Sequence, residues 1–170
     1  MDKQIPGLEG KLNNLINTFL KKIDCGELDV FMGDEWAYYN NTKEISYVLW
    51  DHSYFDIGFM NYVKKHYKCP TVSIFTLSLM HEVGHYLTID NLNLVKLYKA
   101  HLKKKKIEKV TANNIETAIK LQTYYCNLYD EKIATAKAIE LIKKHYKTVL
   151  MFEYLLAELL KENAGALAQR

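Results

Sequence analysis

Apolar residues recur at helical spacing along most of the chain, and the places where that spacing fails divide it. Leu8, Leu12, Leu15, Ile16, Phe19, Leu20 and Ile23, following Pro6 and Gly7, mark one face of a first amphipathic helix. Lys21 and Lys22 fall in its last turn, where the helix dipole favours cations, and Cys25-Gly26 is placed to end it. From 28 to 49 the pattern changes to short runs rich in aromatic and β-branched residues: LDVFM, EWAYYN and KEISYVLW. Asn40-Asn41-Thr42 predicts a hairpin turn between the second and third runs, and Gly33-Asp34 a turn between the first and second. These runs predict a small antiparallel meander of two or three strands.

Helical spacing then returns. Asp51 or Ser53 is placed to cap a helix with Phe55, Phe59, Tyr62, Val63 and Tyr67, which Cys69-Pro70 breaks. Thr71 or Ser73 caps the next helix. The remainder reads as helices over 91–105, 111–125 and 130–146. A last, strongly apolar one over 148–160 either continues its predecessor or folds back on it. Residues 164–170 read as a frayed tail. No repeat or linker interrupts the chain, so 1–170 is expected to form one domain of the α+β class, mostly helical with a small antiparallel sheet.

Composition narrows the partners. The chain has 170 residues, is 49% hydrophobic and 25% charged, and carries a net charge of only +3, so it reads as folded and without a strong polyanion partner. Arg170 is the only arginine. Arginine is the preferred reader of guanine edges and phosphates, so no specific nucleic acid partner is expected. Lys103, Lys104, Lys105 and Lys106 read as a solvated helix end. Cys25, Cys69 and Cys126 are odd in number and widely spaced, which fits reduced thiols. With no secretory signal pattern and no apolar run of membrane-spanning length, the expectation is a cytoplasmic protein with no membrane partner.

The chemistry concentrates in the helix TLSLMHEVGHYLT, residues 76–88. His81 and His85 stand four residues apart, about 40° around a helix axis, so both imidazoles can reach one metal ion. Glu82 between them is placed to act on a metal-bound water. The short string arises often enough by chance that its context matters. Ser78, Leu79, Met80, Val83, Gly84, Tyr86 and Leu87 are all uncharged, as a buried helix requires. A core helix that buries two histidines and a glutamate without partners would cost several kcal/mol, and a metal resolves that cost. His52, His66 and His145 sit among aromatics or lysines and read as ordinary surface or core residues.

A Zn2+ site of this kind needs a third protein ligand and an open position for water. Thr88 and Asn91 stand where the metzincin continuation needs a glycine and a histidine, which excludes that class. Glu131, in YDEKIATAKAIELI, is the favoured candidate, because Ala134, Thr135, Ala136 and Ala138 let its helix approach the motif helix closely. Asp130, Asp90, Glu140 and His101 are the alternatives.

His81-Glu82-Val83-Gly84-His85-Tyr86-Leu87, with the later Glu131 followed by Ala134-Thr135, resembles the gluzincin branch of the zincin metallopeptidases. Within it, the pattern is nearest to the short cytosolic bacterial and phage proteins of the ImmA/IrrE type. The resemblance implies a zincin-like fold, with a small sheet beside the motif helix and the third ligand, a glutamate, on a following helix. Two features depart from that group. An extra helix with the lysine run separates His85 from Glu131, and Thr135 stands where many gluzincins have an aspartate.

The expected function is therefore zinc-dependent hydrolysis of a protein or peptide substrate. His81, His85 and Glu131 would be the metal ligands and Glu82 the catalytic base. Tyr86, Tyr124, Tyr125 and Tyr129 are candidate donors to the developing oxyanion, and a strand within 29–49 could align an extended peptide. The alternative is a zincin-like protein that binds a regulatory partner without catalysis. Trp36, Tyr38, Tyr39, Tyr47 and Trp50 are expected to fill one face of the sheet.

Overall fold

The computed structural model describes residues 7–49, 54–110 and 114–164. Pro6, Trp50, Asp51, His52, Ser53, Thr111 and the tail beyond Ala164, to which several sequence expectations attach, lie outside the described residues, as does the side chain of Phe55. The elements follow in the order α1 (Leu8–Lys22), β1 (Asp29–Met32), β2 (Ala37–Tyr39), β3 (Glu44–Tyr47), α2 (Tyr54–His66) and α3 (Ile74–Thr88). A 3-10 turn at Ile89–Asn91 leads into α4 (Leu94–Ile107), α5 (Ile115–Cys126), α6 (Tyr129–Lys144) and α7 (Tyr146–Glu162). The class is α+β, as the pattern predicts.

Helix α1 ends before the expected Cys25-Gly26. Asp24 takes the left-handed conformation (φ 63°). The Cys25 N–H donates to the Leu20 carbonyl and the Asp24 N–H to that of Lys21. This is the paired bonding that closes a helix C-terminus, with aspartate where glycine is usual.

The sheet corrects the expectation of an antiparallel meander. Its order is β1-β3-β2, with β3 antiparallel to β2 but parallel to β1. The Asn40-Asn41-Thr42 turn does join the β2–β3 hairpin. Gly33-Asp34 does not make a hairpin; it begins a crossing that carries the chain past β3 to the far edge. Two strand spacings are about 9.5 Å, which residues 33–36 can cover because extended chain reaches about 3.3 Å per residue. The driving force lies in β3, where Ile45 and Tyr47 are fully buried and Ser46 is 2% exposed. A strand buried on both faces is best satisfied with hydrogen-bonding partners on both edges. At Gly33 an added Cβ would collide with the Ser46 hydroxyl, which would have to rotate away for the chain to leave β1 this close to β3.

Of the described aromatic residues expected on one face of the sheet, Trp36, Tyr38 and Tyr47 do share the face against α3, and Tyr39 alone departs from it. Trp36 and Tyr47 pack with Phe75 of α3, and Tyr38 packs edge-on to Tyr86. Tyr39 is 42% exposed and stacks on Phe31. Successive strand residues point to opposite faces, so Tyr38 and Tyr39 cannot share one.

Helix α3 is the centre of the packing. Ser73 caps it by accepting from the Thr76 N–H, and every residue from Thr76 to Gly84 is buried. Its most extensive partner is α6, with β2, β3 and α2 also touching it. Helix α6 stops at His145, and α7 turns away to pack along α1, where Phe19 and Phe152 stack with ring centroids 4.3 Å apart. Helices α4 and α5 begin at Asn93 and Asn114, whose side chains accept from the Lys96 and Thr117 N–H groups. Helix α4 buries only Ala100 and leaves Leu94, Val95, Tyr98 and Leu102 exposed. Among the described residues, no helix is long and apolar enough to cross a membrane. Cys25 and Cys126 are buried, Cys69 is half-buried, and all three are free thiols.

Candidate metal centre

The α3–α6 contact is close because Gly84 meets Ala134 across it. A Cβ on Gly84 would overlap the Ala134 carbonyl oxygen and lie 2.8 Å from its carbon. Sequence reasoning credited the approach to the alanines of α6. The motif glycine is the other half of it, recognisable as a small residue between His81 and His85 on the same helix.

This approach brings three donors together. His81 Nε2 lies 3.0 Å from Glu131 Oε2, His85 Nε2 lies 3.3 Å from the same oxygen, and the two imidazole nitrogens are 3.2 Å apart. Ligands about 2.05 Å from a tetrahedral zinc stand about 3.3 Å from one another. The three atoms therefore already form one face of such a tetrahedron. Glu131 is 3% exposed and His81 8%, so neither relies on bulk water.

The protons point the same way. Thr135, fully buried, donates its hydroxyl hydrogen to the Glu131 backbone carbonyl at 2.8 Å. A carbonyl only accepts, so that hydrogen is committed, and Thr135 Oγ1, 3.1 Å from His81 Nδ1, must accept from the ring N–H. The donors and acceptors thus assign His81 the Nδ1–H tautomer, with a bare Nε2 facing a carboxylate oxygen at 3.0 Å. One proton on His85 Nε2 can serve only part of this set, whereas a cation serves all three lone pairs. The residues present therefore fit a metal ion, and His81, His85 and Glu131 group as possible ligands among the described residues.

The local electrostatics agree. Burial opposes ionisation of Glu131, yet the two imidazoles of His81 and His85 beside it outweigh burial and hold its carboxyl well below the usual range. Burial also disfavours charge on His85, but the Glu131 carboxylate wins and raises its pKa. Glu82 is 7% exposed, and among the described residues its carboxylate has no hydrogen bond. Burial pushes its pKa up, and the neighbouring histidines only partly offset this. Phe59 of α2 stands edge-on to the His81 ring, centroids 5.1 Å apart, as an apolar wall.

The other sequence candidates lie apart from the trio. Asp90 is exposed on the 3-10 turn and His101 on α4. Glu140 pairs with Lys137 on the outside of α6. Asp130 lines a cleft of about 550 Å³ with Leu97, His101 and Lys105, its Oδ1 buried without a partner among the described residues. His66 packs on Tyr62, and His145 sits at the α6–α7 joint. Of the four tyrosines, Tyr86 donates to Glu27, Tyr129 accepts from the Asn93 N–H, and Tyr124 is 69% exposed. Only Tyr125 faces the centre, where burial and then Glu131 raise its pKa.

Lys104 is the residue that sequence reasoning missed. Its ammonium lies 3.5 Å from Glu131 Oε1 and 4.8 Å from the centre of the Tyr125 ring. Leu97, Ala100, Lys104 and Ile107 form the inward stripe of α4, while the neighbouring lysines point out. The helical period alone would have singled it out from the run of four.

Comparison of the chain with protein-family models, curated proteins and solved structures found no match.

Proposed function

We propose that the protein is a metal-dependent hydrolase, and more specifically a zinc metallopeptidase of the gluzincin type, nearest to the ImmA/IrrE-like bacterial and phage proteins. The observation that carries this reading is the triangle of His81 Nε2, His85 Nε2 and Glu131 Oε2, with edges of 3.0–3.3 Å, beside the buried carboxylate of Glu82. Zinc held there supplies a Lewis acid and lowers the pKa of a coordinated water towards about 7.

The chain's own residues supply the rest. Glu82 has no hydrogen bond among the described residues, so its lone pairs are free to take a proton from the attacking water and pass it to the leaving amine. A raised pKa brings it nearer to the operating range of such a base. Thr135 holds His81 in the ligating tautomer, and Phe59 keeps water from that side. Strand β2 is a sheet edge next to α3 and can add an extended peptide as a further strand, which makes a protein or peptide the favoured substrate.

The test is Glu82→Gln. It should retain one zinc per chain and lose turnover of a susceptible peptide by about 10^2–10^4-fold. Undiminished turnover sinks the mechanism. The rival reading, a metal-bearing protein that only binds a regulatory partner, predicts one zinc per chain and no cleavage of any peptide by the wild type. A carboxylate beside the trio with no hydrogen bond among the described residues has no use in that reading.

A further inference from the structure

Helix α4 belongs to the segment between the two histidines and Glu131, and its one inward cation reaches the third candidate ligand. The two oxygens of Glu131 are used differently. Oε2 faces both imidazoles, at 3.0 and 3.3 Å, while Oε1 is turned to the Lys104 ammonium at 3.5 Å. The ammonium lies over the Tyr125 ring, 4.8 Å from its centre, and the negative face of that ring favours a cation there. Lys104 therefore has two partners fixing it and is only 33% exposed at its side chain. Other lysines of the run, at 103, 105 and 106, are exposed.

We propose that Lys104 is a positioning residue that holds Glu131 as a one-oxygen ligand and keeps a coordination position of the metal open. The inference rests on the metal reading above. A carboxylate can ligate through one oxygen or two, and the second mode adds a fifth donor that crowds the side on which a reacting water must be held. Lys104 engages Oε1 and so leaves Oε2 alone for the metal. The same ammonium repels a bound cation, so the chain gives up metal affinity for an open site. Two consequences share one sign: removing the charge should add a ligand oxygen and remove a repulsion.

The experiment loads the full chain with Co2+ and compares wild type, Lys104→Met and Lys104→Arg. Met keeps the packing length without the charge, and Arg restores the charge. In Lys104→Met the visible Co2+ bands should weaken, as four-coordination gives way to five, and Co2+ should bind more tightly by about tenfold, opposite in sign to the 10–100-fold loss typical when a supporting outer-shell partner is removed. Lys104→Arg should return both readouts towards wild type. A residue that merely supported the fold would weaken binding when removed. Unchanged bands and affinity in Lys104→Met, or weaker binding, overturn the proposal. Lys104→Gln repeats the comparison if the Met variant fails to fold. A wild type that takes up no Co2+ defeats the metal reading itself, a result distinct from failure of the Lys104 proposal.

Discussion

Gly84→Ala adds one methyl group where α3 and α6 touch. The new Cβ would overlap the Ala134 carbonyl oxygen and stand 2.8 Å from its carbon and 3.1 Å from its Cα. These are backbone atoms and cannot swing aside as a side-chain end would. To restore ordinary contact near 3.5 Å with the carbonyl oxygen, the nearest of these atoms, α6 must recede by roughly 1 Å or more. Glu131 is one turn before Ala134 on the same helix, so Oε2 recedes with it. The 3.0 and 3.3 Å edges to the histidines then open towards roughly 4 Å, where donors at about 2.05 Å from one ion would have to stand almost opposite each other. Overpacking costs about 1–3 kcal/mol, and alanine recovers about 1 kcal/mol of helix propensity over glycine. The metal-free variant should therefore lose at most about 2 kcal/mol and still fold. Zinc affinity, measured by competition with a chromophoric chelator, should fall about a hundredfold or more. In saturating zinc that equals about 2.7 kcal/mol less ligand-induced stabilisation, visible as a smaller zinc-dependent rise in Tm. A variant with zinc affinity within threefold of wild type would refute this account of the glycine.

Three further outcomes are expected. Thr135→Val removes the acceptor for the His81 Nδ1–H without changing shape, and zinc affinity should fall about 10–100-fold; Thr135→Ser should recover most of it, and equal loss in both variants would contradict the tautomer argument. Asp24→Gly places the permissive residue at the left-handed end of α1, and should stabilise by ~1 kcal/mol and raise Tm by roughly 2–4 °C; a lower Tm would contradict it. Tyr62, whose hydroxyl donates to Asn127, has its pKa pushed up to about 12, chiefly by burial. The unfolded chain loses that proton from about pH 10, so this tyrosine's contribution is complete below pH 10 and is lost as pH rises towards 12. Tm should fall over that window, and less steeply in Tyr62→Phe; identical slopes would show that the residue does not contribute.

What could be read from the sequence was what local spacing encodes. His81 and His85 recur at one helical turn, and the small residues after Glu131 mark a helix that can approach another, so the trio that the structure brings together was legible before any coordinates. Strand positions were legible for the same reason, and so was the β2–β3 turn. Strand order was not. Gly33-Asp34 marks a turn, but only the burial of β3 on both faces selects a crossing over a hairpin. The end of α1 was misplaced because Gly26 offers the usual left-handed residue and Asp24 takes that conformation instead. Thr135 stood out only as a departure from a pattern; its role appears when its hydrogen is traced to the Glu131 carbonyl. Composition hides Lys104 among four like residues, and only its helical spacing from Leu97 and Ala100 marks it as the one that turns inward.

The central claim is that His81, His85 and Glu131 hold one zinc ion with Glu82 beside it. Crystals of zinc-replete protein, measured with X-rays on both sides of the zinc absorption edge, test it most directly. The account predicts one anomalous peak about 2.0–2.2 Å from His81 Nε2, His85 Nε2 and Glu131 Oε2, with no other protein ligand. Zinc at other residues, or no anomalous peak between the two histidines and Glu131, would contradict it.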